Sequence, residues 1–458
     1  MTRHSTKRLG WGAALLVLGI AAPLVSCDSN ILSVTDPDII LDARSASGAV
    51  ALKNGVLLRL AQAVNGVQGP DALFVFAGLV TDEWRSGDTF VQRNNQDQRI
   101  WDPTNTFNAD PYRRLNRVRV EGSAAIDAIR QYLPPDSTYL VGRMFALTAY
   151  VNTLIGEHYC NGTPLSHLEG TTIVFGEPLS NDSVFGLAIA AADSALANRA
   201  GRDSLRILRL ASVIKGRALL DRGQFAAAAA AVAGVPDTFK YQVTHSTQSA
   251  SNQINALNNG ARRYTMVDKE GVVGLDFISA NDPRLPRATG TNPATDLIFD
   301  SAYPLFVTRQ GIWLSTSGVS IVTGVEARLI EAEAALRAGQ NATWLTTINT
   351  LRTNTALYPP IQTGFTRGPD LTAIADTFVN DTSRILTHFR ERAFWMFSTG
   401  HRLGDMRRLV RQYQRPDSTI YPRGAYFKGG AYGTALMMPV PFDEVNNPNF
   451  TECTDRNP

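Results

Sequence analysis

Apolar residues recur at helical spacing over much of the chain. Within residues 46–64 they fall on one face of a helix, at Val50, Val56, Leu57, Leu60 and Ala61. The same spacing predicts helices over residues 110–132 and 139–159, the first of which ends at Pro134 and Pro135. The alternation of polar and apolar residues that is typical of strands is rare. The pattern therefore predicts a mostly α protein.

Later segments have the pattern of helical hairpins with a Gly-containing turn. Residues 203–222 are followed by Gly223 and an Ala-rich run. Residues 325–338 carry an apolar stripe formed by Val325, Leu329, Ala332 and Leu336. We expect Gly339 to cap this helix at its C-terminus and Asn341 to cap the next helix at its N-terminus. Such hairpins predict a tetratricopeptide-like α-superhelix, although no strict repeat period is visible.

Two polar segments, residues 65–110 and 236–320, lack helical periodicity and read as loops. They are rich in Gly and Asn, and the second also contains many Pro and Thr residues. Loops of this length in a compact protein are usually functional. We therefore expect a ligand-binding face to be built from these segments.

The N-terminus has the pattern of a lipoprotein signal peptide. A short basic segment precedes an apolar run, which ends in Leu24-Val25-Ser26-Cys27. We expect removal of residues 1–26, lipidation of Cys27, a tether over residues 27–45 and a folded domain over 46–458. An ordinary signal peptide is the alternative. The apolar run is short of the length that a membrane span needs. Asp28 leaves open to which membrane the protein is sorted.

Charge and cysteine content limit the kinds of binding partner that we expect and bear on the cellular compartment of the protein. The net charge of +3 comes from three basic residues of the signal segment, since the rest has 41 basic residues against 41 acidic ones. A neutral mature chain gives no reason to expect nucleic acid as a partner. With Cys27 lipidated, Cys160 and Cys453 remain, either as one disulfide in an oxidising compartment or as two free thiols.

Motifs of catalysis and metal binding are missing from the sequence. It contains no His-Glu-x-x-His, no Gly-x-Ser-x-Gly and no phosphate loop. Glu331 and Glu333 are two residues apart on a predicted helix and point to different faces. Asp82 could serve as one carboxylate of a glycosidase pair, but no second carboxylate presents itself. We expect no cofactor, no metal site and no enzyme activity.

Tryptophans in polar, loop-like surroundings are the best candidates for ligand contact. An exposed ring flanked by charged groups can stack on a sugar while its neighbours bind hydroxyls. The alternative is that these rings fasten the loops to the scaffold. Trp344 and Trp395 lie within amphipathic patterns and are expected in the core. The candidate ligand-binding residues are Asp82, Trp84, Arg85, Trp101, Tyr303 and Trp313.

Several C-terminal motifs resemble those of the SusD/RagB family. Residues 389–395 and 400–408 resemble its Arg-Glu-Arg and Gly-His-Arg segments, and residues 438–449 resemble its closing stretch. Residues 332–352 and 156–165 are similar to a helical hairpin and a turn of the same family. The matches occur in the family's order, while Thr399 and Gly404 depart from its pattern.

The resemblance implies an α-superhelical, non-catalytic lipoprotein of the outer membrane that faces the exterior. Such a protein captures an oligosaccharide and passes it to a SusC-like TonB-dependent transporter. It also implies that the charged residues between Glu391 and Arg408 form buried ion pairs. Three alternatives stay open. The same fold could bind peptides, the chain could be a lipid-anchored helical glycoside hydrolase, or it could be a scaffold for protein partners.

Overall fold

The structure is a computed structural model that describes residues 45–67, 69–170 and 172–458. These residues lie in one compact unit. The predicted signal peptide, the lipidation site at Cys27 and nearly all of the predicted tether fall outside the described residues. Within the described part of the chain, no helix combines the length and the apolarity that crossing a membrane requires.

Helices form most of the regular structure of this unit, as the apolar periodicity predicts. Their bounds are α1 Ala46–Val64, α2 Leu73–Gly78, α3 Val91–Asp97, α4 Thr106–Tyr132, α5 Thr138–His158, α6 Asn181–Ala197, α7 Ser204–Asp221, α8 Phe225–Val232, α9 Gly324–Arg337, α10 Asn341–Thr353, α11 Asp381–Trp395 and α12 Arg402–Arg411. A π-helical turn covers Asn255–Gly260, and short 3₁₀ turns cover Pro135–Ser137, Glu270–Val272, Thr355–Leu357, Asp417–Thr419 and Phe442–Asn446.

The helices pack largely in the order of the chain. Contacts run from α1 to α4, and then between successive helices from α4 to α10. Each helix thus buries its apolar stripe against its neighbours, as in helical-repeat proteins. Side chains that accept hydrogen bonds from the first helical turn cap several of these helices, among them Ser45, Ser180, Thr323 and Asn380. The mostly α, superhelical fold class is confirmed.

Short strands connect the helices and pair only two at a time. Their bounds are β1 Trp84–Ser86, β2 Thr163–Pro164, β3 His167–Glu169, β4 Thr172–Val174, β5 Pro178–Leu179, β6 Lys240–Val243, β7 Tyr264–Met266, β8 Arg287–Thr289, β9 Thr308–Gln310 and β10 Val319–Thr323. The antiparallel pairs are β1–β7, β2–β5, β3–β4, β6–β10 and β8–β9. The pair β1–β7 therefore links the segment 236–320 to the earlier segment 65–110, while β6–β10 and β8–β9 fold the later segment on itself.

Three local expectations were wrong. The segment 65–110 contains α2, β1 and α3, and α2 escaped notice because all of its residues are buried and none of its faces is polar. Helix α6 was not predicted, since its Ala-rich sequence shows little contrast between faces. Asn341 is the first residue of α10 and not its cap, a position taken by Gln340 without a side-chain bond. Gly339 does adopt the left-handed conformation expected at a helix end, with φ of +73°.

Cys160 and Cys453 form a disulfide in the structure. It joins the turn after α5 to the C-terminal segment, across a sequence separation of 293 residues. Next to it, Asn161 pairs with Asp455 through both backbone and side chain. The C-terminal segment is thereby fixed to the first half of the helical body.

Candidate functional site

A cleft of about 350 Å³ opens where β10 and the loops before β10 and α11 meet the C-terminal end of α11. We call it the central cleft. Its volume falls in the range of small-ligand sites. Two tryptophans, Trp313 and Trp395, line it together with prolines 359 and 360. Polar residues also line it, namely Lys240, Gln242, Arg284, Ser320, Thr323, Glu326, Gln362, Thr399 and His401. Apolar rings and polar side chains thus face one space.

Trp313 is held in the cleft wall through its backbone. The carboxamide of Gln310, which is fully buried, accepts a hydrogen bond from Trp313 N at 2.8 Å and donates one to Trp313 O at 2.9 Å. Asn255 Nδ2 donates to the same carbonyl oxygen at 3.2 Å. No described residue accepts a hydrogen bond from the indole nitrogen of Trp313. The backbone of Trp313 is therefore fixed in position, and its ring, in a residue that is 9% exposed, packs in the hydrophobic core beside the cleft.

Trp395, the second tryptophan, lies at the end of α11 and is partly buried rather than in the core. Its ring packs against Tyr358, with a centroid distance of 5.8 Å, and the Arg284 guanidinium carbon lies 5.1 Å from the ring centroid. Its Nε1 is buried and has no acceptor among the described residues. The expectation that Trp395 is a plain core residue was wrong, because the chain turns away after α11 and leaves the cleft beside its ring.

The cleft floor contains a histidine whose tautomer the surrounding donors determine. Thr399 Oγ1 donates to Met396 O at 2.6 Å and therefore accepts from His401 Nδ1 at 2.9 Å. His401 Nε2 is then free to accept from Arg217 Nη1, which lies 2.9 Å away. This assignment follows from the hydrogen-bond network. His401 is accordingly a neutral ring with its proton on Nδ1.

Glu326 lies beside this ring as an acceptor without a donor. Its Oε1 is 3.2 Å from His401 Nε2, at ion-pair distance but without the alignment of a hydrogen bond, and no described group donates to either oxygen. Burial acts to raise the pKa of Glu326, but the nearby guanidinium charges of Arg217 and Arg392 act to lower it, and it lies below its usual value. Burial and the charge of Arg217 lower the pKa of His401, against the opposing effect of Glu326. Glu326 is 1% exposed, so the floor holds a buried carboxylate that lacks a donor among the described residues.

Buried ion pairs hold this floor to the helical body. Arg217 on α7 makes a bidentate pair with Glu157 on α5, with N–O distances of 2.6 and 2.5 Å. Arg392 on α11 donates to Asp405 on α12 at 2.9 Å. Further pairs link α9 to α12 through Glu333 and Arg408, and link Glu391 to Arg284 and Arg352. The expectation of a buried ion-pair network between Glu391 and Arg408 is confirmed.

Glycine positions show how tightly α12 approaches the earlier helices. Gly400 has φ of +74°, and a Cβ atom there would lie 2.5 Å from Cε1 of Phe74 on α2. A Cβ at Gly404 would lie 3.0 Å from Cγ of Glu157 on α5. The absence of a side chain at residue 404, where the SusD/RagB pattern has an aromatic residue, leaves space for the side chain of Glu157.

Three of the candidate ligand residues are buried, namely Trp313, which is 9% exposed and belongs to the hydrophobic core beside the cleft, and Trp84 and Asp82. Trp84 pairs with Met266 between β1 and β7, packs on Phe397 and donates from Nε1 to Ser398 Oγ at 2.8 Å. Asp82 accepts from Arg402 Nε and Nη2 at 2.6 and 2.8 Å. Both are fully buried. Their polar sequence neighbourhood suggested exposure, but their partners come from the far end of the chain.

The other candidates lie elsewhere on the surface. Arg85 pairs with Glu270, and Tyr303 donates to the carbonyl of Lys428 at 2.8 Å. Trp101 is partly buried, and the Arg456 guanidinium carbon lies 4.3 Å from the centroid of its ring. None of these residues lines the central cleft. The structure therefore does not bring the predicted aromatic residues together at one site, and Trp313 lines the central cleft beside residues that were not candidates.

Sequence reasoning missed most of the cleft floor. Glu326 and Glu333 are seven residues apart on α9 and share a buried face with Ile330. Charged residues that recur on an otherwise apolar helix face were the available signal. For Lys240, Gln242 and Gln362 the sequence offered no comparable signal. In the described residues, no group of three or more His, Cys, Asp or Glu side chains is placed to hold a metal ion.

Comparison with solved structures identifies the fold. A SusD superfamily protein from Parabacteroides distasonis superposes with a TM-score of 0.65 at 13% identity, covering 89% of this chain and 98% of that one. A SusD-like carbohydrate binding protein from Bacteroides fragilis gives 0.64 at 13% identity, covering 89% and 99%. A SusD/RagB family protein from Bacteroides thetaiotaomicron gives 0.61 at 13% identity, covering 88% and 94%.

No protein-family model and no curated protein sequence matches the chain. The structural likeness, extending over nearly the whole length of each relative, shows that the chain has the SusD-like fold. The resemblance that the C-terminal motifs suggested is thus confirmed at the level of the fold.

Proposed function

We propose that this protein binds an oligosaccharide in the central cleft without cleaving it. The observation that carries the proposal is the combination of two tryptophan rings with unpaired polar atoms in one cleft. Among the described residues, the buried Trp395 Nε1 has no acceptor and the buried Glu326 carboxylate has no donor. Sugars present apolar C–H faces together with hydroxyls that both donate and accept, so they complement this lining.

The number of carboxylates that line the cleft favours sugar binding over sugar hydrolysis. A glycosidase of the usual kind needs two carboxyl groups that flank the scissile bond. Among the described residues that line the cleft, Glu326 supplies the single carboxylate. The description of one structural relative as a carbohydrate binding protein supports the same proposal.

The proposed role extends to transport. The apolar run before Cys27 would direct export and then be removed, and lipid on Cys27 would anchor the protein to the outer membrane, facing the exterior. A bound oligosaccharide would then pass to a SusC-like TonB-dependent transporter. Replacing Cys27 by Ala should release the protein from membranes. Retention of that variant on membranes after a high-salt wash would contradict the lipid anchor.

Binding is tested by screening the purified protein against immobilised oligosaccharides and peptides, followed by calorimetry with each ligand retained. Trp313→Ala should weaken sugar binding at least about tenfold, since it removes a stacking ring. Trp101→Ala is the matched control, because that ring is partly exposed but lies outside the cleft. Every retained ligand is also assayed for cleavage products. Cleavage, or retention of peptides alone, would overturn the proposal.

A further inference from the structure

A second cleft, of about 360 Å³, lies on another part of the helical body. We call it the basic cleft. Helix α1 forms one wall, while strand β6 and the turn after it form the other. Arg143 of α5 and Arg206 of α7 also line it. Its lining shares one residue, Gln242, with the central cleft. The role proposed for the central cleft makes no use of it.

His245 supplies an acceptor to the basic cleft. Its Nδ1 lies 3.1 Å from the carbonyl oxygen of Ala250, and a carbonyl can only accept, so Nδ1 carries the proton. The turn is closed around it, because Ser246 and Ala250 exchange backbone hydrogen bonds at 3.1 Å. The side chain of His245 is 8% exposed, and its Nε2 has no partner among the described residues. Burying such an acceptor is unfavourable if nothing donates to it.

Arg143 supplies a charged donor to the same cleft. Its Nη2 pairs with Asp203, but its Nε is buried and has no acceptor among the described residues. The exposed fraction of its side chain is 14%. An unsatisfied guanidinium donor and an unsatisfied imidazole acceptor therefore line one cavity. A ligand that satisfies both needs an acceptor group and a hydroxyl.

The surrounding charge selects an anion. Arg206 stacks on the ring of Tyr241, with its guanidinium carbon 4.9 Å from the ring centroid. Burial and the nearby charge of Arg143 lower the pKa of Lys53, so positive groups are crowded at this end of α1. Asp203 neutralises one of the three cations Arg143, Arg206 and Lys53, so a net positive charge remains at the basic cleft. Carboxylates match guanidinium groups in both charge and hydrogen-bond geometry.

We propose that the basic cleft binds a hydroxylated carboxylic acid, of which a uronic acid residue of an acidic saccharide is the natural form. The carboxylate accepts from Arg143 Nε and pairs with Arg206, while a hydroxyl donates to His245 Nε2. Thr244, Ser246 and the exposed Asn54 provide further polar groups for the remaining hydroxyls. This site is separate from the one proposed for neutral sugar binding.

Calorimetry with galacturonate as the probe tests the proposal. The wild-type protein should bind galacturonate at least about tenfold more tightly than galactose or inorganic sulfate, since neither offers both a carboxylate and hydroxyls. Arg206→Ala should weaken galacturonate binding at least about tenfold. Arg209→Ala is the matched control, because it lies on the same helix and stacks on Phe239 but does not line the cleft. His245→Asn tests the acceptor and should likewise weaken binding.

The outcomes separate this proposal from the one for the central cleft. Equal weakening by Arg206→Ala and Arg209→Ala would indicate general charge attraction and overturn the proposal. Equal affinity for sulfate and galacturonate would overturn it as well, since hydroxyl recognition would then be absent. Loss of galacturonate binding in Trp313→Ala, but not in Arg206→Ala, would place the acid in the central cleft and refute the second site alone.

Discussion

Replacing Asp82 by Asn should destabilise the protein strongly without changing its affinity for ligand. Asp82 accepts two hydrogen bonds from Arg402 and a third from Leu275 N at 2.8 Å. The exposed fractions of the Asp82 and Arg402 side chains are 0% and 6%. An asparagine leaves the Arg402 charge buried without a counterion and turns an amide N–H towards it. Removing one partner of such a pair costs about 3–5 kcal/mol.

A matched pair on the surface provides the control. Arg113 and Asp443 form the same bidentate geometry, with N–O distances of 2.7 and 2.6 Å, but their side chains are 51% and 26% exposed. Exposed pairs contribute at most about 1 kcal/mol. Asp443→Asn should therefore change stability little, even though its geometry resembles that of the buried pair.

Urea unfolding, followed by circular dichroism, measures both variants. Asp82→Asn should lower the midpoint by about 1 M, given the m-values expected for a chain of this size. Its affinity for the sugar, measured far below the transition, should equal that of the wild type. A midpoint within about 0.2 M of the wild-type value, combined with lost sugar binding, would show that Asp82 contacts ligand and would refute this reasoning.

Two further predictions concern packing and pH. Gly400→Ala should lower the free energy of unfolding by about 2–4 kcal/mol, through left-handed strain and the clash with Phe74. Gly339 has nearly the same φ, but a Cβ atom there would meet no atom within 4 Å, so Gly339→Ala should lower the free energy of unfolding by only about 1 kcal/mol. Thermal unfolding measures both variants, and an equal loss of stability in the two would contradict the role of the Phe74 contact. Burial and the charge of Glu270 raise the pKa of Asp97 in the folded protein to about 8. The protonated Asp97 side chain therefore contributes fully to the stability of the fold below its ordinary pKa, and this contribution is lost as pH rises towards 8. Asp97→Asn should therefore gain stability over the wild type between pH 5 and 8, and an unchanged difference in unfolding midpoint between these pH values would contradict it.

Apolar periodicity was sufficient for the long amphipathic helices. Helices α4 and α7 begin and end within a few residues of the predicted bounds, because each shows contrast between an apolar and a polar face. The same reasoning failed for α2, whose six residues are all buried. A helix that is apolar on every side carries no periodic signal. Periodicity therefore reports a helix's contrast between faces rather than the helix itself.

The site was harder to predict because its partners are distant in sequence. Trp84 and Asp82 appeared exposed, since the residues beside them are charged. Their partners, Ser398 and Arg402, lie more than 300 residues later. Local composition could not reveal that α12 would bury them. Trp313 and Trp395 both line the central cleft, but the place of Trp395 there depended on where α11 ends.

The disulfide between Cys160 and Cys453 makes a covalent ring of most of the chain. All residues that line the central cleft, from Lys240 to His401, lie inside this ring. A protease that cuts one loop of the cleft therefore opens the ring but releases no fragment. Both ends of the cut stay attached to the helical body until a thiol reductant breaks the bond. The protein should thus survive a single cut in its binding loops as one molecule.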